Sequence, residues 1–317
     1  MREDGSVTSA TERPEPHTPV RTRSASAPVS APASAPASAS APRDVRLVAT
    51  DLDGTLLHDD KSVSERTIAA LAAAEAAGVE VFFVTGRPAR WMDVVSSHVQ
   101  GHGLAICANG AAVVDLHRGG EIVDVRPLER EDAIAVVDAL RIAAPGASFA
   151  VERTVGIHYE PQYPPFHLDP GAVVASVEKL LAVDAADAGH PVIKLLVHHP
   201  ELGPDEFLAL ARAAAGGHGS FTRSSPTALL EISGLGVSKA STLARCCAER
   251  GIAPEEVVAF GDMPNDLEML SWAGTSYAMA NAHPEVLAAT SHRTTANNDD
   301  GVARVIEQLL EQRATTG

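Results

Sequence analysis

The chain has 317 residues, enough for one large domain or two medium ones, and its 45% hydrophobic content excludes a wholly disordered polypeptide. With 41 Asp+Glu against 25 Lys+Arg the net charge is −16, which argues against nucleic acid as a partner, because backbone binding there rests on clustered Lys and Arg neutralising phosphates. No stretch approaches the roughly 20 consecutive apolar residues that span a bilayer, so no membrane association is expected.

Residues 1–44 differ in texture from the rest. Between Ser24 and Pro42, eighteen of nineteen residues are Ala, Ser or Pro, Val29 being the exception. Such a stretch has no large side chains whose burial offsets the entropy of ordering, so a disordered tail is expected. The tail carries no apolar signal-peptide core. Three cysteines (Cys107, Cys246 and Cys247) lack zinc-type spacing and suit a reducing compartment, so a cytoplasmic location is expected.

From residue 45 the pattern alternates. Arg46–Thr50 is an apolar strand-like run broken by Asp51-Leu-Asp53-Gly-Thr-Leu. Residues 64–77 read as a helix, with Ser64 as N-cap and Gly78 as stop. Val79–Val84 is a strand ended by Thr85-Gly86-Arg87. A helical stretch at residues 89–99 and a strand at Leu104–Cys107 follow. Strand–helix–strand alternation indicates a parallel sheet with crossover helices.

The middle third reads differently. Strands are expected at Glu121–Val125, residues 148–151, residues 155–159, Val192–His198, near Phe221 and at residues 229–232. Helices are expected at residues 129–143, 172–183 and 205–215, with a Pro-rich excursion from Pro161 to Pro170. Several neighbouring strands lack an intervening helix, which suggests an α+β insert with an antiparallel sheet. Alternation resumes with a helix at residues 238–250, a strand at residues 256–260 ended by Gly261-Asp262, a helix from Asp266 to Trp272, a short strand at residues 275–279 and a closing helix at residues 302–313. The expected architecture is an α/β chain: a Rossmann-like parallel-sheet core (residues 45–118 and 228–317) with an inserted α+β cap domain (residues 119–227).

Acidic or polar groups sit at the ends of three core strands: Asp51 and Asp53, Thr85, and Asp262 with Asp266. In open α/β sheets ligands bind beyond the carboxyl ends of the strands. An Asp-x-Asp-Gly turn is also compatible with ordinary turn chemistry, but not with an EF-hand, whose fifth and sixth positions hold Thr55 and Leu56 here. Lys239, one of four lysines, opens a helix, where free N–H groups favour an anion. Asp262 and Asp266, with Asn265 between, offer hard oxygen ligands for Mg2+, and Asn265 or Asp266 doubles as a helix cap.

The order Asp51-Leu-Asp-Gly-Thr-Leu, Thr85-Gly-Arg, Ser238-Lys239, Gly261-Asp-Met-Pro-Asn-Asp266 resembles the haloacid-dehalogenase-like phosphohydrolases. The runs from Gly236 to Leu243 and from Gly261 to Leu270, with Asn109-Gly110 before the insert, resemble the Cof-type hydrolases of subfamily IIB. The resemblance spans about residues 45 to 313. It implies a Mg2+-dependent phosphatase acting on small phosphate monoesters, such as sugar phosphates, through an aspartyl-phosphate on Asp51. Asp53 is implied as acid/base, and Thr85, Gly86 and Lys239 as phosphate binders. The metal is implied on Asp51, the Asp53 main-chain carbonyl, Asp262 and Asp266, with Asn265 in support. Arg87, Asn109, Asn265, His158, Tyr159 and Lys194 are candidate substrate contacts, with a cap that selects substrate. A phosphomutase and a non-catalytic phosphometabolite sensor are the alternatives. A dinucleotide oxidoreductase is excluded by the absence of G-x-G-x-x-G. The sequence leaves the oligomeric state open.

Overall fold

The computed structural model describes residues 45–96, 103–164, 169, 171–185, 187–225 and 227–316. The 1–44 tail, the end of the 89–99 helix and part of the Pro161–Pro170 excursion lie outside the described residues.

The first strands are β1 (Leu47–Thr50), β2 (Glu80–Val84) and β3 (Leu104–Cys107), with helices α1 (Glu65–Ala76) and α2 (Asp93–Ser96) between them. Then come β4 (Ala112–Asp115), β5 (Glu121–Val125), α3 (Arg130–Ala143), β6 (Ser148–Arg153), β7 (Gly156–Tyr159), α4 (Val177–Leu180) and β8 (Val192–His198). The chain continues through α5 (Pro204–Ala215), β9 (Ser220–Thr222), β10 (Leu229–Ser233), α6 (Lys239–Glu249) and β11 (Val257–Gly261). It closes with α7 (Leu267–Trp272), β12 (Thr275–Ala278), α8 (Pro284–Ala289), β13 (His292–Arg293) and α9 (Gly301–Thr316).

Two sheets result. The larger runs β13-β12-β11-β1-β2-β3-β4-β5, parallel from β13 to β3 and antiparallel thereafter. β1 lies between β11 and β2, and all four of its residues are buried, which explains its unbroken apolar run. Phe82, Phe83 and Phe260 are fully enclosed in this core, each contributing roughly 1.5–3 kcal/mol by burial. α1 begins where expected: the Ser64 hydroxyl accepts from the Thr67 N–H at 3.0 Å, and the helix stops at Gly78, whose φ of +76° suits glycine.

The smaller sheet, β7-β6-β8-β10-β9, is antiparallel throughout, with its own apolar core around Phe149, Leu195, Phe207 and Leu230. A third, small apolar cluster joins Ala108 and Ala111, beyond β3, to Ile193 of β8 and Val237. It seats the small sheet against the large one.

The structure corrects the expected boundaries. Glu121–Val125, read as part of the insert, is the edge strand of the large sheet, because β4, unmarked in the sequence reading, folds back on β3 and pairs with it. Leu229–Ser233, read as core, pairs with β8 and β9 in the small sheet. The helix expected over residues 172–183 shrinks to the one-turn α4, and the stretch from residue 89 is a 3-10 turn, Ala89–Trp91, followed by α2. α8 and β13 are further elements that the short local patterns did not reveal.

Candidate active site

Asp51 leaves the carboxyl end of β1, Asp262 that of β11 and Thr85 that of β2, so adjacent parallel strands deliver all three to one edge. The Asp51 N–H donates to the Phe260 carbonyl at 3.1 Å, extending the ladder one residue past β1. Asp51, Asp262 and Asp266 each present a carboxylate oxygen within 4.8 Å of the others, and all three residues are buried. Lys239, at the start of α6, donates from Nζ to Asp51 Oδ1 at 2.7 Å and to Asp266 Oδ1 at 2.6 Å. The other oxygen of Asp266 accepts from the Asp262 and Met263 N–H groups, both at 3.0 Å, which locks the turn before α7. The Thr55 hydroxyl donates to Asp262 Oδ1 at 2.8 Å.

Three carboxylates therefore face one ammonium in a buried space. Burial raises the pKa of Asp51, Lys239 opposes that, and Asp266 and Asp262 add to the rise. Asp262 is pushed up to about 7 by burial and by Asp266. Lys239 has its charge disfavoured by burial, but Asp266 and Asp51 outweigh this and raise its pKa. The cluster is short of positive charge and rich in hard oxygen donors, the donor set that a small divalent cation takes. Gly54 completes the cradle: its φ is +78°, and a Cβ there would lie 2.3 Å from Asp262 Oδ2.

Asp53 stands apart from this trio. Its carboxylate is forked by Arg87, with Nε to Oδ2 at 2.5 Å and Nη2 to Oδ1 at 2.7 Å, and Lys61 reaches Oδ1 at 2.8 Å. Partial burial works against the charge, but the hydrogen bonds from Arg87 and Lys61 prevail and hold its pKa down at about 2. The Asp53 side chain is thus no member of the acidic cluster, which leaves the main-chain carbonyl as the part of this residue that the resemblance assigns to the metal. Asp51 and Asp53 both open onto the same cavity, as the two-residue spacing implies.

That cavity, of about 380 Å3, lies between the two sheets. Asp51, Asp53, Thr85, Gly86 and Arg87 line it from the large sheet, together with Trp91 and Asn265. Ile157, Tyr159, Leu196 and Leu229 line it from the small sheet, together with Lys194 and Glu231. Of the expected substrate contacts, Arg87, Asn265, Tyr159 and Lys194 line this cavity. Asn109 is not: it is buried behind Gly86, donating to Glu231 Oε2 at 2.8 Å and accepting from Asn265 Nδ2 at 3.2 Å. His158 is also turned away, its Nδ1 accepting from the Val173 N–H and its Nε2 meeting Asp187, because alternation along β7 puts it on the face opposite Tyr159. The sequence reading missed Thr55, Lys61 and Glu231. Glu231 carried a signal, a lone acid between the apolar Leu230 and Ile232.

A parallel-stranded core, an Asp-x-Asp strand end facing an acidic turn and a buried lysine, and a second sheet over the cavity define a class of phosphoryl-transfer enzyme. A family model described as haloacid dehalogenase-like hydrolase matches residues 48–306. The chain belongs to that family, as a phosphatase of the Cof type. It is 29% identical over 267 residues to the 5-amino-6-(5-phospho-D-ribitylamino)uracil phosphatase YcsE of Bacillus subtilis (strain 168), covering 84% of this chain and 96% of that protein. It is 28% identical over 285 residues to the pyridoxal phosphate phosphatase YbhA of Escherichia coli (strain K12), covering 84% of this chain and 98% of that protein. The solved structure of a haloacid dehalogenase-like hydrolase from Bacteroides thetaiotaomicron superposes with a TM-score of 0.65 at 25% identity, covering 84% of this chain and 99% of that one.

Proposed function

We propose that the protein is a Mg2+-dependent phosphatase of small phosphorylated metabolites, with Asp51 as nucleophile. The observation that carries this is the meeting of Asp51, Asp262, Asp266 and Lys239 in one buried cluster, from which Asp51 also opens onto the cavity. Asp51, Asp262 and the Asp53 carbonyl would hold the metal, with Asp266 bracing the turn that carries Asp262. When bound, the ion neutralises charge between an anionic nucleophile and an anionic phosphate.

Lys239 occupies one oxygen of Asp51 and leaves the other for attack on phosphorus. The P–O bond to the leaving alcohol breaks as the Asp51–phosphorus bond forms, and Asp53 supplies the proton that the alkoxide needs. Water then attacks the aspartyl-phosphate, giving its proton to Asp53 and releasing inorganic phosphate. The Arg87 fork matters here: it holds Asp53 as a carboxylate, the form that accepts the proton from water. Proton donation in the first step requires Asp53 to leave that fork. Thr85 and the Gly86 N–H would hold the transferring oxygens, where transition-state charge spreads.

The cavity walls also bear on the substrate. Trp91, Ile157, Tyr159, Leu196 and Leu229 offer apolar faces, while Glu231 and Lys194 are engaged with one another. We infer a leaving group with a flat, apolar face, such as a phosphorylated heterocycle, in preference to a bare sugar. The uracil and pyridoxal substrates named for the two relatives support this. Cys107, Cys246 and Cys247 are buried free thiols, which suit a reducing compartment. Among the described residues no helix is long and apolar enough to cross a membrane.

A panel of phosphate esters with Mg2+ tests the reading. Inorganic phosphate should be released, faster from pyridoxal 5′-phosphate than from glucose 6-phosphate; EDTA should stop release and Mg2+ restore it. Product isomers without free phosphate would establish a mutase, and tight binding without turnover a sensor.

A further inference from the structure

We propose that Lys194 and Glu231, on the small sheet, are positioning residues for phosphoryl transfer: they set the geometry of the Thr85-Gly86-Arg87 turn from across the cavity. The proposal rests on the phosphatase reading above. Both side chains are almost fully buried, and the antiparallel register of β8 and β10, with Glu231 opposite Leu196, makes Lys194 its diagonal neighbour. Lys194 Nζ donates to Glu231 Oε2 at 2.5 Å and to the Gly86 carbonyl at 2.7 Å.

The turn itself explains why this matters. Its three consecutive carbonyls all accept bonds from outside it. Thr85 O takes the Asn109 N–H at 3.0 Å, Gly86 O takes Lys194, and Arg87 O takes the Ala108 N–H at 2.8 Å. In a trans peptide the N–H points opposite to the C=O. Holding Thr85 O therefore aims the Gly86 N–H. Holding Gly86 O aims the Arg87 N–H, which donates to the Thr85 hydroxyl at 3.1 Å and so orients it. The two groups assigned to phosphate, the Gly86 N–H and the Thr85 hydroxyl, are each set by one of these outside bonds.

Glu231 ties the outside bonds together. Its Oε2 accepts from Lys194 and from Asn109 Nδ2, its Oε1 from the Ser224 hydroxyl, and Asn109 in turn accepts from Asn265. Asn109 needs such anchoring, because Ala108, Asn109 and Gly110 all have positive φ. The fit against the turn is close: a Cβ at Gly86 would lie 3.2 Å from Asn109 Oδ1 and 3.5 Å from Glu231 Oε2. Only with the small sheet seated is the phosphate turn fully braced.

The test compares the full chain with its Glu231→Gln and Lys194→Met variants and with the double variant, which leaves no lone buried charge and so serves where a single variant does not fold. Two readouts are taken with Mg2+ present: the affinity for inorganic phosphate by calorimetry, and kcat with p-nitrophenyl phosphate and with acetyl phosphate, whose leaving group is too small to need the small sheet. The expected result is weaker phosphate binding and a kcat loss on the order of 10²-fold, by the same factor for both substrates. The double variant should be no worse than either single one, as groups acting as a unit are not additive. Loss confined to p-nitrophenyl phosphate would make Lys194 a leaving-group contact and overturn the proposal, as would folded variants with unchanged kcat and phosphate affinity. A wild-type chain that binds phosphate yet hydrolyses no ester, with binding weakened in the variants, would overturn the phosphatase reading and keep Lys194 and Glu231 only as positioners of a phosphate-binding turn.

Discussion

Asp262 and Glu231 are both buried carboxyls; burial raises the pKa of each, yet their net shifts run in opposite directions. Asp262, at the end of a parallel strand, is driven up to about 7 by burial and a neighbouring carboxylate. Glu231, on the antiparallel sheet, is disfavoured as an anion by burial, yet Lys194 and the donors Ser224 and Asn109 pull its pKa below the ordinary value. Burial alone predicts neither result; the local count of donors and cations does. The cluster around Asp51 is left short of positive charge, whereas the pair on the small sheet is balanced within itself.

Breaking the unbalanced cluster should have the largest effect. Asp51→Asn is expected to abolish turnover while the thermal transition stays cooperative and is no lower than in the wild type, since one of three repelling carboxylates is removed. Measurable turnover in that variant would remove Asp51 as the nucleophile.

Gly54→Ala probes the same cluster by shape. The left-handed φ costs a Cβ-bearing residue about 1–2 kcal/mol, and the new methyl displaces Asp262. Activity should fall by an order of magnitude or more, with a raised Mg2+ requirement in a metal titration; an unchanged requirement would show that the Gly54 cradle does not shape the metal site.

Asp53→Ala tests the forked carboxylate. Hydrolysis of alkyl phosphates should fall further than that of p-nitrophenyl phosphate, whose leaving group needs little protonation. Equal losses would argue against an acid role.

The smallest effect sharpens the balanced side. The folded-state pKa of Glu231 lies below its unfolded value of about 4.3, so its contribution to stability is present above that value and is lost as the pH falls through the folded one. Glu231→Gln should flatten the fall in stability on acidification below about pH 4.3, measured by urea unfolding at a series of pH values, and an acid limb identical to that of the wild type would sink the assignment.

Much of the site was legible because its members are short local patterns at strand ends. Asp51, Asp53, Thr85, Asp262 and Asp266 followed from the rule that parallel strands present their carboxyl ends to ligands, Lys239 from its place at a helix start, and their roles from the order of the motifs and the family resemblance. Asn109 was misplaced because a polar residue in a turn looks the same whether it faces substrate or a buried glutamate. Residues 172–183 were over-read as helix because, among the described residues, their Val and Ala positions serve a bridge to β7 and only one turn of helix. Glu121–Val125 went to the wrong sheet because its pairing with β4 depends on a fold-back at residues 116–120 that strand pattern alone does not orient.

The sequence by itself determined the long elements, the cap at Ser64 and the acidic chemistry of the site, because hydrophobic period and side-chain type are local properties. Only the tertiary structure decided that Lys194 reaches the Gly86 carbonyl 108 residues away and that Asn109 meets Glu231 across 122 residues. Those contacts depend on how one sheet seats on another, and no window of neighbouring residues carries that information.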